Sequence, residues 1–426
     1  MMRKAQLLFV MTLAFNLWPK PAHATPAFAR KYGVRCTVCH EAWPVLNDFG
    51  RQFRDNGYRM NLGEDDPPMT DPAYWPIYAL ASPQYRFDLL KSHDNKDLAL
   101  LRSGQFQQGT FVLGAIGTVG AHASYLVIPL AVVNGQTVGF PAGWIRFNDI
   151  ANTPWLNVKL GQNEPDLPFS RIRDLDMTSN SLVAYSYHTP GSVSQFDMAN
   201  DEMGIEIMGH NRGSGTRYSV NAFNVGGSPA QNTKFNTPGT YGHVTHEFQF
   251  RNGPLTALEV GSFASYATWP RNLTQTPPGG LGTDNLKASE KYGGEVHAWF
   301  GQFALPIHAN FTFIQGRDDK ALVPGGVRDG LFNGGFAQVI ANPKLPLIVF
   351  GRFDFVRNRD QSLPNASRDF HDQTGYTIGA KHTFEFTTRA EYALFVNYSW
   401  LRVKQGASDL TDTTRQVLSA GIHFAF

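Results

Sequence analysis

Apolar and polar residues alternate along most of the chain beyond about residue 100, with the two-residue period of a β-strand. Between 392 and 400 the even-numbered side chains are aromatic or aliphatic, whereas the odd-numbered ones include Asn397 and Ser399. The segments 295–300 and 376–386 alternate in the same way. These patterns predict many strands, each with one apolar and one polar face.

The polar faces of these strands carry ionisable side chains, namely Glu295, Lys381, Glu385 and Glu391. A soluble β-sandwich also alternates, but its inward faces are apolar and fill a core. A packed interior does not tolerate unpaired charges, whereas the lumen of a transmembrane barrel accommodates them. The alternation therefore favours a barrel with lipid outside and a polar lumen inside.

The length of the chain sets the number of strands. A membrane-spanning strand with its connections uses roughly 20–22 residues, so the residues after Tyr74 allow about 16 strands. The last strand places Leu418, Ile422, Phe424 and the terminal Phe426 on one face, as is typical of outer-membrane barrels. We therefore predict a mainly β protein, a transmembrane antiparallel barrel of about 16 strands over 77–426.

The amino terminus has the features of a secretory signal peptide. A basic start at 1–4 and an apolar run at 5–18 precede the small-residue site Ala22-His23-Ala24. Cleavage after residue 24 removes three cations and no acids, so the formal net charge falls from +2 to −1. Such a balance does not predict a nucleic-acid partner. No later run is long and apolar enough for a transmembrane helix.

The strongest chemical signal is Cys36-Thr37-Val38-Cys39-His40, which contains the only two cysteines of the chain. A Cys-x-x-Cys-His sequence attaches one haem c covalently through two thioethers, and the adjacent histidine is the proximal iron ligand. A redox-active dithiol is the first alternative, but the βαβ pattern that accompanies it is missing. Half of a zinc site is the second, but no other ligand cluster accompanies it.

The segment 25–63 would hold this haem. Helical spacing over 45–56, with Gly57 as a stop, predicts one helix that carries Phe49 and Phe53. The two rings pack in a small core, contact the haem face, or do both. So short a segment cannot bury a porphyrin alone, so we expect a helical haem segment that plugs the barrel. A Pro- and acid-rich linker, 64–76, follows it.

The distal iron ligand is open on the sequence alone. Met60 and Met69 follow the helix, and a methionine ligand would raise the haem potential. A lumen histidine or an open site is the alternative. We assign His40 and Met60 as the two ligands of the haem iron. We expect no catalytic residue beyond the haem.

Other polar groups near the motif have simpler interpretations. Haem propionates attract arginines, and four arginines of the segment are candidates for this role. They are Arg30, Arg35, Arg51 and Arg54. The acidic run 64–66 suits cations, but a solvated linker explains it as well. His243 and His246, beside Glu247, are not expected to share a metal, because strand residues three apart face opposite ways.

Taken together, the motif region resembles the fused cytochrome–porin proteins of bacterial outer membranes, whose best-known members oxidise ferrous iron at the cell surface. The matching residues run from Pro26-Ala27-Phe28-Ala29-Arg30 through the Cys-x-x-Cys-His motif to Phe49-Gly50-Arg51, Phe53 and Gly57-Tyr58. The stretch 160–170 is similar to a porin-like stretch of such proteins. One departure is Lys31-Tyr32, where iron-oxidising members tend to have Gln-Thr.

The resemblance implies one c-type haem inside a barrel of about 16 strands in the outer membrane. It implies that electrons pass from extracellular Fe(II) through the haem to a periplasmic c-type cytochrome. Two alternatives remain. The first is electron transfer with another external donor or acceptor, and the second is a solute porin whose haem plug is structural.

Overall fold

The computed structural model describes the following residues: 27–42, 45–60, 75–92, 99–133, 135–169, 183–192, 194, 196–211, 215–224, 238–270, 286–301, 306–323, 325–344, 347–360, 369–386, 391–404 and 412–425. The predicted signal peptide, Met69 and Phe426 lie outside them, as does most of the predicted linker. Within this part of the chain, none of the helices has the length and apolar character needed to cross a bilayer.

In the described residues, sixteen antiparallel strands form a closed barrel. The barrel strands are β3 (Ile77–Ser92), β4 (Ala99–Val119), β5 (Ala123–Val133), β6 (Gln136–Phe147), β7 (Asn157–Asn163), β8 (Glu202–His210), β9 (Thr216–Phe223), β10 (Gly239–Gln249), β11 (Leu255–Pro270), β12 (Leu286–Phe300), β13 (Ile307–Asp318), β14 (Gly330–Lys344), β15 (Leu347–Asp360), β16 (Gln373–Phe386), β17 (Glu391–Val403) and β18 (Thr413–Ala425). Each strand pairs with the next, and β18 closes the barrel on β3. The prediction of a mainly β protein with a barrel of about 16 strands is confirmed.

The two faces of the strands lie as the alternation predicts. On β17, Asn397 and Ser399 are buried on the lumen side, whereas Leu394 and Val396 are about half exposed on the outside. The neighbouring strand β18 also has a buried polar face, because Ser419, which is paired with Asn397, is buried. The outer surface is therefore apolar and suits lipid.

The connections differ between the two ends of the barrel. At the end where β4 leads into β5, the turns are short, such as 120–122 and 250–254. At the other end they are generally longer, and 164–201 between β7 and β8 is the longest. We call these the short-loop end and the long-loop end. The first strand starts, and the last strand finishes, at the short-loop end.

The lumen is not uniformly polar, which differs from the sequence-based expectation. The β7–β8 connection contains the short helix Val183–Ser186 and packs Phe169 and Tyr185 against lumen-facing residues such as Phe336. These side chains belong to an apolar cluster at the long-loop end. The lumen is apolar there because this connection brings its own aromatic residues inside the barrel.

The N-terminal segment, which we define as 27–60, is built from short elements. They are α1 (Ala27–Tyr32), a 3₁₀ turn (Cys36–Val38), β1 (His40–Ala42), β2 (Val45–Leu46) and α2 (Asp48–Asp55). The predicted helix begins three residues later than expected because Val45 and Leu46 pair with β1. Asn47 then caps α2 by accepting a hydrogen bond from the Gly50 amide at 2.9 Å.

Contacts with the barrel place the N-terminal segment at the short-loop end. Arg30 donates to the carbonyl of Ile77 at 2.6 Å, at the start of β3. Lys31 donates to Thr118 at 2.6 Å, near the end of β4. Both positions lie at the short-loop end, so the segment and the apolar cluster lie toward opposite ends of the barrel.

Candidate functional site

A cavity of about 390 Å³ lies between the N-terminal segment and the lumen wall. Cys36, Cys39 and His40 all line it, together with lumen-facing residues of β3 to β9. The volume is in the range of pockets that hold organic ligands. The three residues that the motif predicts as haem-binding therefore face one shared space.

The turn that carries the motif is held by the start of α2. The backbone amide of Asn47 donates to the carbonyl of Cys39 at 3.0 Å, and the Asn47 side chain donates to the carbonyl of Val38 at 3.0 Å. Gly50 lies against the same Cys39 carbonyl, where any larger residue would collide. The helix and the motif turn are thus packed backbone to backbone.

The two cysteines are free thiols, and no disulfide joins them. Burial raises the pKa of Cys36 to about 11, and the nearby Glu391 carboxylate adds to the shift. Burial also raises the pKa of Cys39 to about 11. Both sulfurs are therefore protonated near neutral pH. This argues against a reactive dithiol, which needs the deprotonated form.

Aromatic rings form one side of the cavity. Phe53 of α2 lines it and meets the rings of Phe28 and Tyr58 at 5.1 and 5.9 Å between centroids. Tyr58 in turn stacks on Trp144 of β6 at 6.1 Å. Phe49 does not line the cavity and is 42% exposed, although its ring stacks on Phe53. Trp144 was not predicted from the sequence as a cavity residue, although the period of the strand places its side chain inward.

Two methionines and one lumen histidine line the cavity and are potential iron ligands. Met60, the predicted distal ligand, is one of them. Met208 and His210 on β8 are the others; neither was named from the sequence, although a lumen histidine was one of the alternatives. The alternation along β8 could have indicated that these two side chains face the lumen, because Ile205 and Ile207 are exposed on the opposite face. His210 contacts Asn56 at 3.2 Å.

The predicted arginines of the N-terminal segment separate into two groups. Arg35 and Arg54 line the cavity. Arg51 does not: its guanidinium donates to Glu247 at 3.1 Å and lies over the Trp299 ring at 4.2 Å. Arg30 donates its hydrogen bond to the carbonyl of Ile77. Arg51 and Arg30 thus attach the segment to the barrel.

Arg146 of β6 is a cavity arginine that sequence reasoning missed. It donates to the carbonyls of Arg54 and Asp55 at 3.1 and 2.6 Å. Its Nε is buried and has no hydrogen-bond partner. A buried guanidinium nitrogen without a partner is costly, so an anionic group in the cavity would be stabilised there.

An ion pair fixes the end of the N-terminal segment. Arg59 donates to Asp149 at 2.7 Å, and both side chains are buried. Gly57, at a positive φ of 71°, brings the chain against Asn148. The position of the cavity wall therefore depends on the turn between β6 and β7 as well as on α2.

The histidines of β10 face opposite sides, as the strand period predicts. His243 points into the lumen, where it contacts Asp166 at 3.1 Å and Glu295 at 2.7 Å. His246 contacts Thr216 at 2.8 Å on the other face. The two imidazoles therefore do not meet.

Among known proteins, this chain is similar to solved structures in its fold. No protein-family model and no curated protein matches this chain. Its structure is similar to an anion-selective porin from Comamonas acidovorans, with a TM-score of 0.53 and 12% identity over 82% of this chain and 98% of that one. The barrel has the porin fold.

A second porin-fold match is the outer membrane channel DcaP of Acinetobacter baumannii. The TM-score is 0.50 and the identity 12%, over 82% of this chain and 96% of that one. At such identity, the likeness concerns the fold of the porin barrel alone.

Proposed function

We propose that this protein is an electron conduit of the bacterial outer membrane. One covalently bound haem c would lie in the cavity, take electrons from extracellular Fe(II) and pass them to a periplasmic c-type cytochrome. The observation that carries the proposal is that Cys36, Cys39 and His40 line one cavity inside a porin barrel.

The side chains around the cavity fit a haem. The Cys36 and Cys39 sulfurs would form the thioethers, and the His40 imidazole is the proximal ligand in such motifs. The rings of Phe53 and Tyr58 offer apolar faces to a macrocycle. The unpartnered Nε of Arg146 suits a propionate. The haem, when bound, would supply reversible one-electron transfer.

The location of the cavity supports a periplasmic acceptor. Outer-membrane barrels have short periplasmic turns and longer extracellular loops. By that rule, the short-loop end and the N-terminal segment face the periplasm. A soluble cytochrome could then approach the cavity end without entering the barrel, and electron donation would come from the other side.

Passive solute transport is the second candidate, and the porin fold favours it. Both similar structures are named as a porin or a channel. Against it stands the occupied lumen, since a solute would have to pass the packed rings of Tyr185 and Phe336 and then the N-terminal segment. Electron transfer with another donor or acceptor is a variant of the main proposal.

Anaerobic mixing of the purified, oxidised protein with Fe(II) separates these functions. The conduit predicts rapid reduction of the haem, followed by its absorbance in a stopped-flow instrument. A protein whose haem responds to dithionite but not to Fe(II) would contradict iron as the donor. Vesicles with the protein should also resist swelling in small sugars, whereas fast swelling would favour the solute pore.

A further inference from the structure

Three potential metal ligands converge on the lumen wall beside the cavity. Glu259 of β11 and Glu295 and His297 of β12 each place one ligand atom within 4.8 Å of the others. Glu259 is directly opposite His297 in the strand register. All three side chains are buried. Two adjacent strands therefore hold them on the same face.

The surroundings of this cluster carry an excess of negative charge. Three acids meet here, since Asp166 joins Glu259 and Glu295 through shared partners. Arg217 is the basic residue among them, with contacts of 3.1 Å to Asp166 and 3.4 Å to Glu259. The neighbouring acid Glu247 is already paired with Arg51.

With neutral histidines, three carboxylates and one guanidinium leave two negative charges in a buried wall. His243 and His297 contact Glu295 at 2.7 and 3.1 Å. Buried charge of this kind has to be compensated. Two protons on the histidines would do so, and one divalent cation, bound by a neutral imidazole and carboxylates, would do so equally.

A buried hydroxyl beside Glu295 lacks a hydrogen-bond partner. The Glu295 carboxylate lies over Gly261 of β11, where a Cβ would be 2.6 Å from its oxygen Oε1. On the other side, Thr312 of β13 is paired with Glu295 and is fully buried. Its Oγ1 has no hydrogen-bond partner. A water or an ion between these groups would supply the missing contact.

We propose that Glu259, Glu295 and His297 bind one divalent transition-metal ion. Carboxylate oxygens and an imidazole nitrogen suit Mn²⁺, Fe²⁺, Co²⁺ and Zn²⁺. The site adjoins the cavity, because Arg217 lines that cavity and contacts Glu259 at 3.4 Å. This metal site does not depend on the proposed function.

Manganese is a suitable probe because it binds like Fe²⁺ but does not reduce a haem under these conditions. Purified full-length protein, with its haem, is titrated with Mn²⁺ and the free ion is measured by electron paramagnetic resonance. We expect one bound Mn²⁺ per chain. His297→Gln and, independently, Glu259→Gln should weaken binding by at least about tenfold.

His308→Gln is the matched control. It removes a buried lumen histidine on the neighbouring strand, whose ring lies 5.9 Å from Trp299 and which is not one of the three ligands. It should bind Mn²⁺ like the unaltered protein. Heat-modifiable migration in electrophoresis shows whether each variant keeps a folded barrel, and two independent ligand variants guard against one misfolding.

The outcomes separate this site from the proposed function. No stoichiometric Mn²⁺ binding, or equal binding in all variants, would overturn the metal site, even if Fe²⁺ still reduces the haem. Stoichiometric binding that both ligand variants lose supports the site. If Fe²⁺ then fails to reduce the haem of the unaltered protein, the iron-oxidising function fails while the site stands.

Discussion

Gly50 and Cys39 are packed so closely that a Cβ on Gly50 would stand 2.0 Å from the Cys39 carbonyl oxygen. Real Cβ atoms do not approach a backbone oxygen to that distance, and the same carbonyl already accepts a hydrogen bond from Asn47. The helix α2 can therefore support the Cys-x-x-Cys-His turn only with glycine at position 50.

Gly50→Ala should displace α2 from the motif turn and lower the amount of covalently attached haem. The ratio of haem absorbance to protein, measured after purification, tests this. Gly351→Ala is the matched control, because a Cβ at Gly351 meets no heavy atom within 4 Å. Full haem content in Gly50→Ala would show that the close packing is not needed for attachment.

The distal ligand can be assigned by comparing two cavity methionines, Met60 and Met208. We predict that Met60→Ala abolishes the long-wavelength sulfur-to-iron absorption of the ferric protein and lowers the midpoint potential, since a methionine ligand raises it. Met208→Ala should leave both unchanged. The reverse result would assign Met208, and persistence of the band in both variants would exclude a methionine at these positions.

Loss of the buried Arg59–Asp149 pair should loosen the N-terminal segment. Asp149→Asn leaves the Arg59 charge without its partner, and Arg59 is only 2% exposed. Breaking such a pair costs about 3–5 kcal/mol. We expect faster protease cleavage within 27–60, measured by mass spectrometry. Asp360→Asn breaks the exposed pair with Arg328 and should change little; equal cleavage in both variants would refute the anchoring role.

Acid should weaken the docking of α2. Burial acts to raise the pKa of Asp55, but Arg54 and Arg217 outweigh it and hold that pKa below its ordinary value of roughly 3.9. A carboxyl with a lowered pKa stabilises the folded state above its ordinary pKa and loses that contribution as pH falls. The protection factors for hydrogen exchange over 48–56, which correct for the intrinsic pH dependence of exchange, should therefore fall below about pH 4. Asp55→Asn should show little such pH dependence, and an unchanged acid response would contradict this assignment.

The strand pattern was sufficient to predict the barrel because alternation is a local property of the chain. It places Asn397 inward and Leu394 outward without knowledge of any neighbour. The motif likewise needs only five consecutive residues. The residue pattern predicted the helix that contains Phe53. It did not predict that Val45 pairs with β1, so the helix begins later than expected.

The cavity wall depends on contacts between residues far apart in the chain, and these are not visible in a local pattern. Arg51 donates a hydrogen bond to Glu247 and Arg59 donates one to Asp149, so both arginines attach the N-terminal segment to the barrel. Alternation can place Met208 on the lumen face, but not at the height of the motif. The apolar cluster around Tyr185 was missed because it depends on where the β7–β8 connection folds.

We propose that this chain carries electrons, and not solutes, across a membrane. The direct test places the protein in lipid vesicles that trap an oxidised soluble c-type cytochrome, and adds Fe(II) outside. A variant with Cys36→Ala and Cys39→Ala serves as the haem-free control. The account predicts that the trapped cytochrome is reduced with the unaltered protein and stays oxidised with the control. No reduction with the unaltered protein, or equal reduction with both, would contradict it.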